Sequence, residues 1–173
     1  GSSTDLSVEV NLSTFGSGFT TLVDWGQAGG EHLSSVRDSV TNELPNRNRS
    51  NLTDYRQALS QAQASLDARA QALDGSSCKI VLWLTDGKLD VDGRGDKPAT
   101  DAARVELCQP GGIVDGVRAD GVTVIALALM TSEGEGSVTD LDRQRLQAIA
   151  EGTGGGETCG TVPVNDSVSN GAF

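Results

Sequence analysis

An uninterrupted apolar run, Ile80-Val81-Leu82-Trp83-Leu84, constrains this chain more than any other stretch. A strand with one wet face alternates apolar and polar side chains, so a run without alternation favours a strand that is covered on both faces. Such strands are typical of parallel sheets that lie between two layers of helices. The run therefore predicts a central strand of an α/β sheet.

The apolar run stops at Thr85-Asp86-Gly87. A carboxylate thus follows the carboxyl end of a predicted central strand, beside a glycine that allows the chain to turn. In open α/β sheets, ligands bind at the edge formed by the carboxyl ends of the parallel strands, which we call the crest. The sequence therefore predicts the functional site at the crest.

The remaining segments alternate between strand and helix patterns. Val8 to Leu12 alternates in polarity, Phe15 to Phe19 is a glycine-rich reversal, and Thr20 to Trp25 is the return strand of an antiparallel hairpin at a sheet edge. Val122 to Leu129 is predicted to be a second fully buried strand. Residues 161–164 are predicted to form a last strand, which lies at a sheet edge because proline is excluded from central strands.

Apolar side chains recur at steps of three and four in the other segments, which predicts helices over 33–44, 52–73, 99–107, 113–119 and 139–151. The 52–73 stripe is the cleanest, and either Thr53 or Asp54 is placed to cap that helix. We predict an α/β fold of Rossmann-like type, with a mostly parallel sheet, one antiparallel edge strand and helices on both faces.

Composition excludes several classes of partner. The 173 residues fit one domain, and aromatic residues make up only 3%, so we expect a core of Val, Leu, Ile and Ala. Lys plus Arg number 13 against 24 Asp plus Glu, a net charge of −11 that repels nucleic acid and anionic membrane surfaces. No apolar run is long enough to span a bilayer.

The sequence gives no support for enzymatic activity. His32 is the only histidine and is expected at the surface, and no phosphate-binding loop follows a strand. We therefore expect that the domain is not an enzyme.

Three cysteines, Cys78, Cys108 and Cys159, lie far apart and have no metal-ligand spacing. They allow either one disulfide with one free thiol, or three buried thiols. Cys108 and Cys159 both lie in glycine-rich loops, which favours that pair and an exported, extracellular or surface-attached domain.

The chain resembles a von Willebrand factor type A (VWA) domain over almost its whole length. Four segments are similar in sequence and order to the family's strands and metal-site loop: Val8 to Gly16, Leu22 to Trp25, Asn51 to Leu59, and Ile80 to Gly87, followed by a strand from Gly121. The resemblance implies a divalent cation such as Mg²⁺ at the crest, with Thr53 as hydroxyl ligand and Asp86 as carboxylate ligand, directly or through water. Asp54, Gly87 and Asp90 would line the binding face, which would bind a partner protein through its carboxylate.

The chain departs from the family at the opening of the metal motif, Asp-x-Ser-x-Ser. Asp5-Leu6-Ser7 begins like it, but Glu9 stands where the second serine belongs. The family's first strand and helix are also missing, so we expect a single domain over 1–173 that is cut short at both ends, with the missing parts supplied by a longer chain. This fragment alone should bind a cation weakly.

Other interpretations stand beside the cation site. Thr53 is equally well explained as a cap of the 52–73 helix, a job that Asp54 could share. Asp86 could be only a turn residue, but its place after a buried strand favours the ligand role. Asp90 to Asp96 partly resembles a calcium loop, but without a closing glutamate the segment is better explained as a solvated acidic loop. Two alternative functions remain open: a VWA scaffold whose site is degenerate and metal-free, and a metal-dependent hydrolase in which Asp54 and Asp90 join Asp86.

Overall fold

The computed structural model describes residues 7–43, 52–73, 77–85, 88–91, 98–128 and 140–151. The strands are β1 (Glu9–Phe15), β2 (Phe19–Gln27), β3 (Lys79–Thr85) and β4 (Val122–Ala128). The helices are α1 (Gly30–Asp38), α2 (Tyr55–Ala72), α3 (Pro98–Cys108), α4 (Ile113–Ala119) and α5 (Asp140–Glu151), and a π-helical segment, Ser39–Glu43, follows α1. The predicted α/β content is confirmed, and the predicted strand over 161–164 lies outside the described residues.

The predicted hairpin is present. Strands β1 and β2 pair antiparallel from Glu9↔Gln27 to Phe15↔Phe19, with register irregularities on either side of Leu12. Helix α1 packs against the hairpin through His32, whose Nε2 lies 2.9 Å from the Val10 carbonyl oxygen. His32 is half-buried rather than on the surface, because Gly26 lacks a side chain and a Cβ there would lie 2.5 Å from the imidazole Nδ1.

Strands β3 and β4 pair in parallel, as predicted, with Lys79 opposite Val122 and Thr85 opposite Ala128. The connection between them runs through α3 and α4. Gly121 turns the chain from α4 into β4 with a φ of 72°, a left-handed conformation that glycine adopts without strain. The carboxyl ends of both strands therefore lie at the same edge, which is the crest.

The strands form two small sheets rather than the single sheet that the sequence predicts. Each sheet is two-stranded, β1-β2 in one and β3-β4 in the other. Within the described ranges, no strand pairs with the second edge of β1 or of β3, so no ladder of backbone hydrogen bonds joins the hairpin to the parallel pair.

One hydrophobic core unites α2, α3, α4 and α5 with one face of the parallel pair. Its members include Leu59, Trp83, Leu107, Val117, Val124 and Ile149. Trp83 and Val124 lie on the covered face of the sheet, at 4% and 1% exposure. This core therefore packs against one face of the parallel pair, the face that contains Trp83 and Val124.

No element that the structure describes covers the opposite face of the parallel pair, so within the described residues β3 and β4 are not buried on both faces as the sequence predicts. Ile80, Leu82 and Leu84 are 55%, 59% and 56% exposed. Thr123, Ile125 and Leu127 of β4 lie on this face, which we call the bare face, because they pair with those residues in register. The described helices that follow β3 pack on the other face.

Helix α2 holds the hairpin through polar contacts. The Arg69 guanidinium donates two hydrogen bonds to the Glu9 carboxylate, at 2.6 and 2.7 Å. The Ser65 hydroxyl accepts from Asn11 Nδ2 at 3.3 Å and from Trp25 Nε1 at 3.1 Å. Neighbouring strands thus bind to the same helix, although among the described residues their sheet does not pair with β3 or β4.

Three aromatic rings join the hairpin, α2 and β3 at one point. Phe15 packs edge-on against Tyr55 and Trp83, with ring centroids 6.2 and 5.7 Å apart, and Tyr55 and Trp83 are 4.6 Å apart. Edge-to-face pairs of this kind stabilise a fold beyond the burial of their area. The expectation of a purely aliphatic core is therefore wrong at this point.

Replacing Tyr55 by Phe tests the junction without opening a cavity. The Tyr55 hydroxyl forms a buried 2.9 Å hydrogen bond with the Thr85 hydroxyl. Its loss should lower the free energy of unfolding by about 1–2 kcal/mol, measured by urea denaturation. The control is Thr21→Val, which removes an exposed hydroxyl bond and should change stability by less than about 0.5 kcal/mol. Equal effects of the two substitutions would contradict a structural role for the buried bond.

Candidate functional site

The start of α2 lies at the crest. The 2.9 Å bond between the Tyr55 and Thr85 hydroxyls joins the first residue of α2 to the last residue of β3. The Asp54 amide also donates to the Gly16 carbonyl at 2.8 Å, which ties the same point to the hairpin reversal. The loop before α2 is therefore fixed against the carboxyl end of a parallel strand, as a crest site requires.

Thr53 and Asp90 are brought together by an isolated antiparallel bridge. The Thr53 amide donates to the Asp90 carbonyl at 2.5 Å, and the Asp90 amide donates back at 3.2 Å. The contact uses main-chain atoms of both residues, so neither side chain is required for it. Two residues predicted for the site from distant parts of the sequence thus lie side by side.

The Thr53 side chain is half-buried. Its hydroxyl makes no hydrogen bond to any part of the chain that the structure describes.

Asp54, and not Thr53, caps α2. Its Oδ1 accepts from the Arg56 amide at 3.0 Å, and its side chain is 10% exposed. The Arg56 guanidinium donates to both carboxylate oxygens, at 3.0 Å from Nε and 2.8 Å from Nη2, and a third nitrogen reaches Glu106 at 2.6 Å. The choice that the sequence left open is thus decided, and the Asp54 carboxylate is bound within the chain.

The charge state of Asp54 follows from its surroundings. Burial acts most strongly and would raise the pKa of this carboxyl, but the hydrogen bonds and positive charge of Arg56 together outweigh it. The pKa of Asp54 is consequently held below its usual value. The same pair raises the pKa of Arg56, so this is a fixed ion pair and not a group that exchanges protons near neutral pH.

A groove of about 390 Å³ adjoins this ion pair. It lies among the hairpin reversal, the start of α2 and the first turns of α3, and it is lined by Ser17, Leu52, Asp54, Arg56, Val91, Ala99 and Ala102. The lining contains two charged side chains of opposite sign among small and aliphatic ones. Because these two charges are paired with each other, the groove has a defined shape but no strong electrostatic field.

The donor set for a cation is incomplete in the described ranges. Asp86 and Gly87 lie outside them, as does the acidic loop over 92–97. Among the residues that the structure does describe, no three His, Cys, Asp or Glu side chains converge on one point. Thr53 carries a neutral oxygen of the kind that a hard cation prefers, whereas the Asp54 carboxylate is already bound by Arg56.

Arg56 was not among the residues predicted for the site. The sequence signal that could have identified it is an arginine two residues after a capping aspartate, a spacing at which the guanidinium can fold back onto the carboxylate.

Cys108 is buried and disulfide-bonded, and Cys78 is free and exposed. The predicted partner of Cys108, Cys159, lies outside the described residues.

Comparison with protein-family models, with curated proteins and with solved structures found no match. None of the helices described here is long and apolar enough to cross a membrane.

Replacing Asp54 by Asn tests the ion pair, because Asn still caps a helix but lacks the charge. The loss of a charge-assisted pair should lower the free energy of unfolding by about 1–3 kcal/mol at pH 7. A carboxyl with a lowered pKa stabilises the fold above its usual value of 3.8 and loses that contribution as the pH falls further. Urea denaturation should therefore show the gap between the two proteins narrowing below about pH 4.

The matched control is Asp38→Asn. Asp38 pairs with Arg37 at the surface, where the side chains are 61% and 73% exposed. Such a pair contributes less than about 1 kcal/mol, so this variant should show little change at any pH. A gap for Asp54→Asn that stays constant with pH would refute the assigned charge state.

Proposed function

We propose that this chain is a non-enzymatic protein-binding domain of the VWA type. In this proposal the two small sheets belong to a Rossmann-like arrangement, and a divalent cation such as Mg²⁺ at the crest binds a carboxylate of a partner protein. Thr53 supplies a hydroxyl oxygen, Asp86 supplies a carboxylate, and Gly87 and Asp90 border the binding face.

The observation that supports this proposal best is the Thr53 hydroxyl. It is half-buried at the crest, beside Asp90, and it makes no hydrogen bond within the described ranges. A neutral oxygen ligand leaves more positive charge on a bound cation than a carboxylate does. Such a cation can therefore attract an outside carboxylate.

Charge explains why the cation is needed. The chain has a net charge of −11, which repels a partner that approaches with a carboxylate. A divalent cation between the two reverses that local repulsion. The disulfide at Cys108 supports an extracellular or surface location, since disulfides persist in oxidising compartments.

A scaffold domain with a degenerate, metal-free site is the second candidate. It is favoured by the Asp54–Arg56–Glu106 network, which uses a crest carboxylate internally. A metal-dependent hydrolase has less support, because it needs Asp54 among its converging carboxylates and Arg56 already binds both of its oxygens.

Calorimetric titration of Mg²⁺ into the 173-residue chain and its variants tests the proposal. Thr53→Val and Asp86→Ala should each weaken the affinity by about tenfold or more, because each removes one of few ligands. Thr20→Val and Asp38→Ala change the same residue types at exposed positions and should leave the affinity unchanged. Equal affinity in all five proteins would reject the crest site, and an absence of Mg²⁺ binding by the parent chain would favour the scaffold.

A further inference from the structure

A buried pair of hydroxyls joins the two chain segments that contain the proposed cation ligands. Tyr55 and Thr85, at 1% and 7% exposure, form a 2.9 Å hydrogen bond between their side-chain hydroxyls. Thr53 lies two residues before Tyr55, and Asp86 directly follows Thr85 in the sequence. The bond is therefore a short connection between two residues that are far apart along the chain.

Both ends of this bond are held by other contacts. The Tyr55 ring packs edge-on against Phe15 and Trp83, with ring centroids 6.2 and 4.6 Å away. Thr85 belongs to the parallel ladder, where it pairs with Ala128. Because neither hydroxyl can move without disturbing these contacts, the bond sets where the start of α2 lies relative to the end of β3.

Main-chain bonds hold the loop before α2 on its other sides. The Thr53 amide donates to the Asp90 carbonyl oxygen at 2.5 Å, and the Asp54 amide donates to the Gly16 carbonyl oxygen at 2.8 Å. Neither of these bonds involves β3. The hydroxyl bond from Tyr55 supplies the connection to the end of that strand.

We propose that Tyr55 is a positioning residue for the crest cation, and that its bond to Thr85 fixes the ligand separation on which Mg²⁺ affinity depends. Mg²⁺ requires near-ideal octahedral geometry with oxygen ligands at about 2.0–2.1 Å, whereas Ca²⁺ accepts oxygens at about 2.3–2.6 Å in flexible geometries. Loss of a fixed separation therefore weakens Mg²⁺ binding more than Ca²⁺ binding. This inference rests on the proposed function, since it assigns Tyr55 a role toward a cation at the crest.

Calorimetric titration of Mg²⁺ and of Ca²⁺ into the full chain tests this role. Tyr55→Phe removes the hydroxyl and keeps the ring, so it should weaken Mg²⁺ binding by about tenfold and Ca²⁺ binding by less than about threefold. Thr85→Val should give the same result. The double variant should weaken Mg²⁺ binding no further than either substitution alone, because the same bond is lost in each case. Thr85→Ser retains the hydroxyl and should bind like the parent chain.

Ser65→Ala is the matched control for a loss of stability. The Ser65 hydroxyl accepts hydrogen bonds from Asn11 and Trp25, and it lies about 15 Å along α2 from Tyr55. This variant should lose stability and keep both cation affinities. Each titration is done at a temperature at which circular dichroism shows the variant to be folded.

Amide hydrogen exchange without any cation gives a readout that does not require a loaded crest. The Thr53 and Asp54 amides should exchange at least about threefold faster in Tyr55→Phe than in the parent chain, because their loop is no longer bonded to the end of β3. The same two amides should keep the parent rates in Ser65→Ala.

The outcomes separate this inference from the proposed function. If the parent chain binds Mg²⁺, an unchanged affinity in Tyr55→Phe, or an equal loss for Mg²⁺ and Ca²⁺, would overturn the positioning role and leave the crest site in place. Additive losses in the double variant, an equal loss in Ser65→Ala or parent-like exchange in Tyr55→Phe would also overturn it. A parent chain that binds neither ion rejects the crest site and this role with it.

Discussion

The contact of Phe15, Tyr55 and Trp83 is the interaction on which the rest of this structure depends. It joins the hairpin to the parallel pair where no ladder of backbone hydrogen bonds does so among the described residues. Tyr55 is the first residue of α2, so the same contact also fixes the loop that contains Thr53 and Asp54. The geometry of the crest is thus a consequence of aromatic packing below it.

Helix α2 contacts both sheets through its side chains. Its first turn meets β3 through Tyr55 and Thr85, and its later turns meet β1 through Arg69 and Glu9. The first contact is a buried hydrogen bond between two hydroxyls, whereas the second is a partly exposed ion pair. The buried bond at the crest therefore contributes more to stability than the partly exposed ion pair at the opposite end of α2.

Local patterns predicted most of the elements. The 113–119 helix begins and ends at the predicted residues, and the hairpin and the parallel strands are present, because periodicity and glycine position are local properties of the chain. Which elements cover a strand is not determined by the local sequence. The run from Ile80 to Leu84 shows how apolar a strand is, but the exposure of Leu82 depends on where the following helices pack.

The candidate site was predictable only in part, for a similar reason. From the sequence, the adjacent residues Thr53 and Asp54 were equally good candidates for the helix cap. The structure has Asp54 as the cap, because Arg56 forms a charge-assisted hydrogen bond with its carboxylate. The bridge between Thr53 and Asp90 joins segments far apart in sequence, so no spacing rule reveals it. A composition with 3% aromatic residues likewise does not show that three of these rings meet at one point.

The bare face also has a consequence for how the protein behaves in solution. A water-exposed row of Ile and Leu side chains promotes association between molecules, and the net charge of −11 opposes it through mutual repulsion at neutral pH. That repulsion vanishes near the isoelectric point of about 4.3 and is screened by salt. Colloidal stability therefore depends on the acidic surface.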